Sequence, residues 1–358
     1  VTQTPSKQSS EDADNFIYPK VRHPYYIVAP PYIRQSAGVR VLHLLCHSLN
    51  RLGHTAYMVI CNSRPWRGDQ VDVDLLTPIL TPHIARNHHA RGLTPIMVYP
   101  ETITGNPYGA PCVVRYVLNF PGLLGGTKEY PADELCFGYS AVLAEAAKAA
   151  GNVLFLPATD TRVFYPEPST QKRVGSCFYA YKYKTVHKGE LSSVTSNSVE
   201  ITRDQPGSQT PEEIAALFRR SAFFYTYENT ALATEAVLCG CPAVFLPNPH
   251  LEDIIAKKEL GQEGYAWGTA PEELARAQAT VGQGMANYLK TYDVYWQDLN
   301  RFIALTQRHV EGKAYPKPVY VPGAWDTVRE IIKKEGILGL IRAVLGKLMR
   351  ICLTRKMS

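Results

Sequence analysis

Apolar positions in this chain fall in short, dense runs between polar turns, and the runs alternate between two periods. Tyr25–Ala29 (YYIVA) is a buried-strand run halted by Pro30 and Pro31. Val39, Leu42, Leu45, Cys46 and Leu49 then follow helical spacing, Gly53 ends the helix, and AYMVI (56–60) resumes a strand. A strand, a small-residue turn and a helix form the opening of a right-handed βαβ unit. Further apolar runs predict strands at 94–100, 111–118 and 152–157, and helical spacing predicts a helix over 140–151. This alternation predicts an open, mostly parallel sheet covered on both faces.

The second half repeats the style after a polar, proline-bearing linker, ATDTRVFYPEPSTQKR (158–173). Strands are expected at 174–181, 196–203, 223–227 and 242–247. Helices are expected at 211–222, 230–239, 250–259, about 271–290 and about 292–309, the first with Pro211 at its first helical position after Thr210. The pattern therefore predicts two doubly wound α/β domains. Ligands of such sheets bind beyond the carboxyl ends of the strands, so the cleft between the domains is the expected site.

Composition narrows the chemistry. The chain has 358 residues, 45% of them hydrophobic, which suits two cores. Its eight cysteines form no C-x-x-C pair and mostly sit in apolar runs, a pattern of buried thiols in a reducing compartment. The ten histidines show no metal-ligand spacing, and the nearest acidic pair, VDVD at 71–74, reads as a strand, so no metal site is expected. The polar N-terminus has no secretory apolar segment, and no run is long enough to span a membrane. The net charge of +6 is concentrated at the end, where 333–358 holds seven Lys and Arg against Glu335. The balanced remainder argues against a nucleic-acid partner.

The stretch YENTALATEAVLCGCPAVFLPN (227–248) carries the main chemical signal. Glu228 precedes a helix that Asn229 or Thr230 can cap, and Glu235 lies about one and a half turns inside it. Exposed N–H groups at such a helix start favour an anion. A surface helix with one solvated glutamate and one turn glutamate fits the same spacing.

The longer run TPEEIAALFRRSAFFYTYENTALATEAVLCGCPAVFLP (210–247) resembles the donor-binding half of GT-B glycosyltransferases, and most nearly the family 4 type that builds bacterial surface polysaccharides. The resemblance covers roughly 22–312 and is clearer in the second domain. It implies that Glu228 lies by the donor sugar and that Glu235 grips the nucleotide ribose. The family has seven residues between these glutamates and this chain has six, so Tyr227 or Asn229 are alternatives for the first role. YAYKYKTVHKG (179–189) matches the family's basic segment, which implies that Lys182, Lys184 and Lys188 face the donor diphosphate without a metal. Arg203, in SVEITRDQPG, sits where the family contacts the base. Ala37 and Gly38 replace the family's first-domain glycine pair. VYPETITGNPYGAPCVVRYVLNFPGLL (98–124) is reminiscent of the acceptor side of rhamnosyltransferase-like members. There Glu101 is the candidate base, and Asn106 lies in the turn beside it.

GILGLIRAVLGKLMRICLTRK (336–356) is an amphipathic helix pattern with a basic face, suited to an anionic membrane surface or to folding back on the protein. The expected layout is a leader (1–19), an acceptor-side domain (20–160), a donor domain (161–312), a crossing segment (313–335) and the basic amphipathic helix (336–358). The resemblance implies a cytoplasmic enzyme, peripheral on the inner face of the plasma membrane. It would move a sugar from a UDP- or dTDP-sugar, its co-substrate, to a lipid-linked bacterial surface glycan such as O-antigen, with no further cofactor. A UDP-GlcNAc 2-epimerase on the same fold and a two-domain sugar-binding protein are the alternatives.

Overall fold

The computed structural model describes residues 21–61, 70–168, 172–203 and 207–319. The first domain contains β1 (Tyr25–Ala29), α1 (Ala37–Arg51), β2 (Ala56–Ile60), α2 (Pro82–Ala90), β3 (Ile96–Pro100), β4 (Cys112–Val117), β5 (Leu135–Gly138) and α3 (Ala141–Ala146). The second contains β6 (Ser176–Tyr179), α4 (Tyr181–Thr185), β7 (Val199–Glu200), α5 (Pro211–Arg220), β8 (Phe223–Thr226), α6 (Ala231–Leu238), β9 (Ala243–Phe245), α7 (Lys257–Leu260), β10 (Tyr265–Trp267) and α8 (Pro271–Thr280). A long helix, α9 (Gly284–Val310), follows.

Each domain is built on a five-stranded parallel sheet, in the orders β2-β1-β3-β4-β5 and β10-β9-β8-β6-β7. Counted from its own first strand, the second sheet has the same order as the first. The winding therefore reverses between β1 and β3 in one domain and between β6 and β8 in the other, and those crevices are where such sheets take ligands. Two Rossmann-like domains facing a cleft, with a C-terminal helix, make up the GT-B architecture expected above.

Local chemistry explains most of the elements. Leu42, Leu45, Cys46 and Leu49 of the apolar face of α1 are buried against the first sheet, while Val39, also buried, lies on the interdomain cavity. A reciprocal capping box between Thr210 and Glu213, with Pro211 at the first turn, starts α5. Thr230 accepts from the Leu232 amide to start α6, and Gly240, at φ 74°, ends it. Six of the seven described cysteines are buried.

The crossing between domains differs from expectation. Tyr288 on α9 packs in the second core, while Tyr295, Leu299, Phe302, Ile303 and Val310 pack in the first. At 27 residues α9 spans about 40 Å, enough to reach both cores. The return is thus made before 313. The described part of the segment expected to do it adds Tyr315 and Val319 to the first domain, where the Tyr315 carbonyl meets His89. The leader, most of 313–335 and the amphipathic helix lie outside the described residues.

Other local expectations are corrected as well. The run 152–157 forms only an isolated bridge, from Val153 to Gly138 at the end of β5, so it adjoins the sheet edge without extending a ladder along it. Its leucines are buried all the same, and an apolar run looks alike in buried coil and buried strand. The helix at 250–259 shrinks to α7, since Asn248 and Asp253 turn the backbone by accepting from the His250 and Ile254 amides. The helix break expected near 291 falls instead at 281–283. VDVD is a turn, with the Asp72 carboxylate accepting from the Asp74 amide. The strand expected at 196–203 is ordered as a ladder only at Val199–Glu200.

Candidate active site in the interdomain cleft

Beyond the carboxyl ends of both sheets lies a cavity of about 580 Å³, walled by both domains and by Tyr288 of α9. Glu101 directly follows β3 and Glu228 lies two residues after β8. β3 and β8 are the third strands of their domains, so the two carboxylates occupy matching switch points and both line the cavity.

Glu101 is 4% exposed, and its carboxylate accepts from the Leu118 amide at 2.9 Å. Burial pushes this carboxyl above the ordinary range, against the pull of that amide and of the nearby Lys182 charge. The loop behind it is held from below by Arg115, which is fully buried on β4. Its guanidinium donates to the Ile103 and Gly105 carbonyls, pairs with Glu134 at 2.7 Å and lies over the Tyr99 and Tyr130 rings. From above, Gly126 packs so closely that a Cβ there would fall on the Glu101 carbonyl oxygen. With φ at 77°, only glycine fits this position without strain.

Glu228 is 7% exposed. One carboxylate oxygen accepts from the Tyr183 amide at 3.0 Å, and the other faces Lys182 Nζ at 3.9 Å with no hydrogen-bond partner. Burial raises its pKa, with the Lys182 charge as the main counterweight. Lys182 itself lines the cavity, so one cation acts on a carboxylate from each domain.

The remaining expected residues divide. Ala37, Gly38, Arg203, Asn229 and Thr230 line the cavity. A Cβ at Gly38 would meet Leu118 at an ordinary 3.7 Å, so glycine is not sterically demanded there. The Asn229 side chain fastens the following loop through the Asp253 carbonyl and the Ile255 amide, and Thr230 caps α6. Lys184 pairs with Glu200, and neither it nor Lys188 lies on the cavity wall. Tyr227 stacks on Tyr183 and hydrogen-bonds the Ser192 amide and Thr195, inside the second domain. Asn106 closes a turn by accepting from the Tyr99 hydroxyl and the Ala110 amide, away from the cavity.

Glu235 has the least expected setting. It is fully buried and does not line the cavity. One oxygen accepts from Arg40 Nη2 at 2.9 Å, and the other from Arg203 Nη2 at 2.6 Å. Arg40 comes from α1 of the first domain, so this ion triad joins the domains. Arg40 was not singled out in the sequence. Its signal there is a lone arginine among the apolar residues that open α1, in VRVLHLL. Among the described residues no group of His, Cys, Asp and Glu converges as metal ligands, and no helix is long and apolar enough to cross a membrane.

Fold and cleft together define a GT-B-type protein with a carboxylate-lined interdomain site. No family model matches the chain, and no curated protein matches it. Among solved structures, the glycosyltransferase SnogD from Streptomyces nogalater is similar at 11% identity and TM-score 0.39, over 79% of this chain and 99% of that one. A Listeria monocytogenes protein assigned as a UDP-N-acetylglucosamine 2-epimerase is similar at 10% identity and TM-score 0.38, over 84% of this chain and 100% of that one. CalG4, the calicheamicin glycosyltransferase, reaches 14% identity and TM-score 0.37, over 83% and 100%. Similarities this remote do not decide the activity.

Proposed function

We propose that this protein transfers a sugar from a nucleoside diphosphate sugar to a hydroxyl of a glycan acceptor in the interdomain cleft. The observation that supports this most directly is the pair Glu101 and Glu228, at matching switch points on one cavity with Lys182 acting on both. In this reading Glu101 takes the proton of the acceptor hydroxyl as its oxygen bonds to the anomeric carbon. The bond from that carbon to the donor phosphate breaks, and the diphosphate leaves. Lys182, Arg203 and the N-terminus of α6 offset the charge that develops on it, with no metal ion required of the protein. Glu228 lies at the sugar. Glu235 would reach the ribose once its arginines have moved to the diphosphate.

The finer assignment is a UDP- or dTDP-sugar donor and a lipid-linked bacterial surface glycan, such as O-antigen, as acceptor. The basic amphipathic segment 336–358 supports this by suiting the anionic inner face of the plasma membrane.

A thermal-shift panel of UDP, dTDP, GDP and CMP tests the donor reading. The melting temperature should rise with nucleotides of a particular base, and a response to free sugar alone would sink the enzyme reading. Sugar released from the nucleotide without any acceptor, and changed at C2, would instead identify an epimerase. Removing 337–358 should move the protein from the membrane pellet to the supernatant in flotation assays. Undiminished membrane recovery would show that the tail does not dock.

A further inference from the structure

We propose that Arg40 and Arg203 form a clamp from the two domains for the donor diphosphate, and that Glu235 is the internal counter-ion the diphosphate displaces. The inference rests on the nucleotide-sugar reading above and extends it by assigning a donor contact to α1 of the first domain.

Four observations carry it. Both arginines line the cavity, whereas Glu235, which binds them, does not. The two guanidinium groups meet on one carboxylate, at 2.9 and 2.6 Å. Each is also anchored to the same first-domain loop, Arg40 on the Arg34 carbonyl at 2.6 Å and Arg203 on the Gln35 carbonyl at 2.9 Å. Finally, Nε of both arginines is buried without a hydrogen-bond partner, and Arg40 as a whole is only 8% exposed.

Electrostatics gives these facts a direction. Two buried cations share one anion, so the triad keeps an excess positive charge beside the cavity. Buried charge without a full complement of partners is costly, and an added anion relieves it. A guanidinium offers Nε and Nη as a fork matched to phosphate oxygens, so each arginine keeps an unused donor for such a ligand. A closing latch between domains needs one such pair. The second cation, the orphaned donors and the cavity-facing position suit an anion with several oxygens. Lys182 and the N-terminus of α6, with Thr230, stand on the same cavity wall and extend the positive field. Because the two arginines belong to different domains, binding the diphosphate also holds the cleft closed.

Isothermal titration of the full chain with inorganic pyrophosphate, UDP and dTDP tests this. Pyrophosphate has no ribose, so it separates the clamp from any sugar contact of Glu235. Arg40→Met should weaken pyrophosphate binding by at least about tenfold, the usual cost of a lost hydrogen bond to a charged group. Glu235→Gln should tighten it, because the arginines lose their competing anion. If Arg40→Met folds poorly, Arg40→Met combined with Glu235→Gln removes one charge of each sign and should bind more weakly than Glu235→Gln alone by a similar factor. Pyrophosphate affinity in Arg40→Met within twofold of wild type would overturn the clamp and leave the donor reading standing. Unchanged or weaker affinity in Glu235→Gln would overturn the counter-ion role. A wild-type protein that binds none of the three ligands defeats this inference and the UDP- or dTDP-sugar assignment together.

Discussion

Glu101→Gln is expected to lower sugar transfer by about 10²–10⁴-fold, the span of general base catalysis, with donor affinity near wild type. The glutamine carbonyl can still accept from the Leu118 amide, so the loop should keep its place. In the proposed transfer, kcat/KM of the wild-type protein should rise with pH through the Glu101 pKa, because only the carboxylate takes the proton. Burial raises that pKa, so this limb should lie above the ordinary carboxylate range, and it should vanish in the variant. Stability should move the opposite way. A carboxyl with a higher pKa in the folded than in the unfolded chain loses stability as pH rises from the unfolded value through the folded one. At neutral pH the glutamine variant avoids that loss and should melt at a higher temperature. Transfer within a few-fold of wild type, or a persisting acidic limb, would remove Glu101 from the base role.

Arg115→Ala should destabilise the first domain by about 3–5 kcal/mol, because it leaves a buried partner charge without its cation. Glu134 would lose its partner, and the Ile103 and Gly105 carbonyls would lose their donor. Arg115→Met combined with Glu134→Leu should recover much of the loss, since a buried ion pair contributes little beyond an apolar pair of similar volume. Denaturant unfolding of the three proteins measures both effects. A loss under about 1 kcal/mol for the single change would show that the pair is effectively solvated. Transfer should also fall in Arg115→Ala, because the anchored carbonyls lie in the loop that begins at Glu101.

How much of this was legible in the sequence depended on range. α1 and α5 could be read residue by residue, since an apolar stripe at helical spacing or a Thr–Pro–Glu–Glu start acts within a few positions. β5 and β10 went unread because their apolar runs are cut short by Glu134 and Gly138 and by Gly264 and Gly268, whereas β9, no longer than β10, lies in the longer apolar run PAVFLP. The run 152–157 was misread because complete burial erases the alternation that marks a strand. Among the site residues, Glu101 and Glu228 follow strand ends and line the cavity together with Lys182 of α4. Lys184 and Tyr227 shared the same motifs, but their side chains go elsewhere, to Glu200 and to Thr195.

The sequence alone determined two parallel α/β domains, the capped helix behind Glu228 and the basic amphipathic character of 336–358. Each of these follows from propensity, capping or period over a few residues. Only the tertiary structure decided that Glu101 and Glu228 share one cavity and that Glu235 holds Arg40, 195 positions away, together with Arg203. A carboxylate's role depends on which charges and amides surround it after burial. Those neighbours come from other strands and from the other domain, where no local pattern reaches.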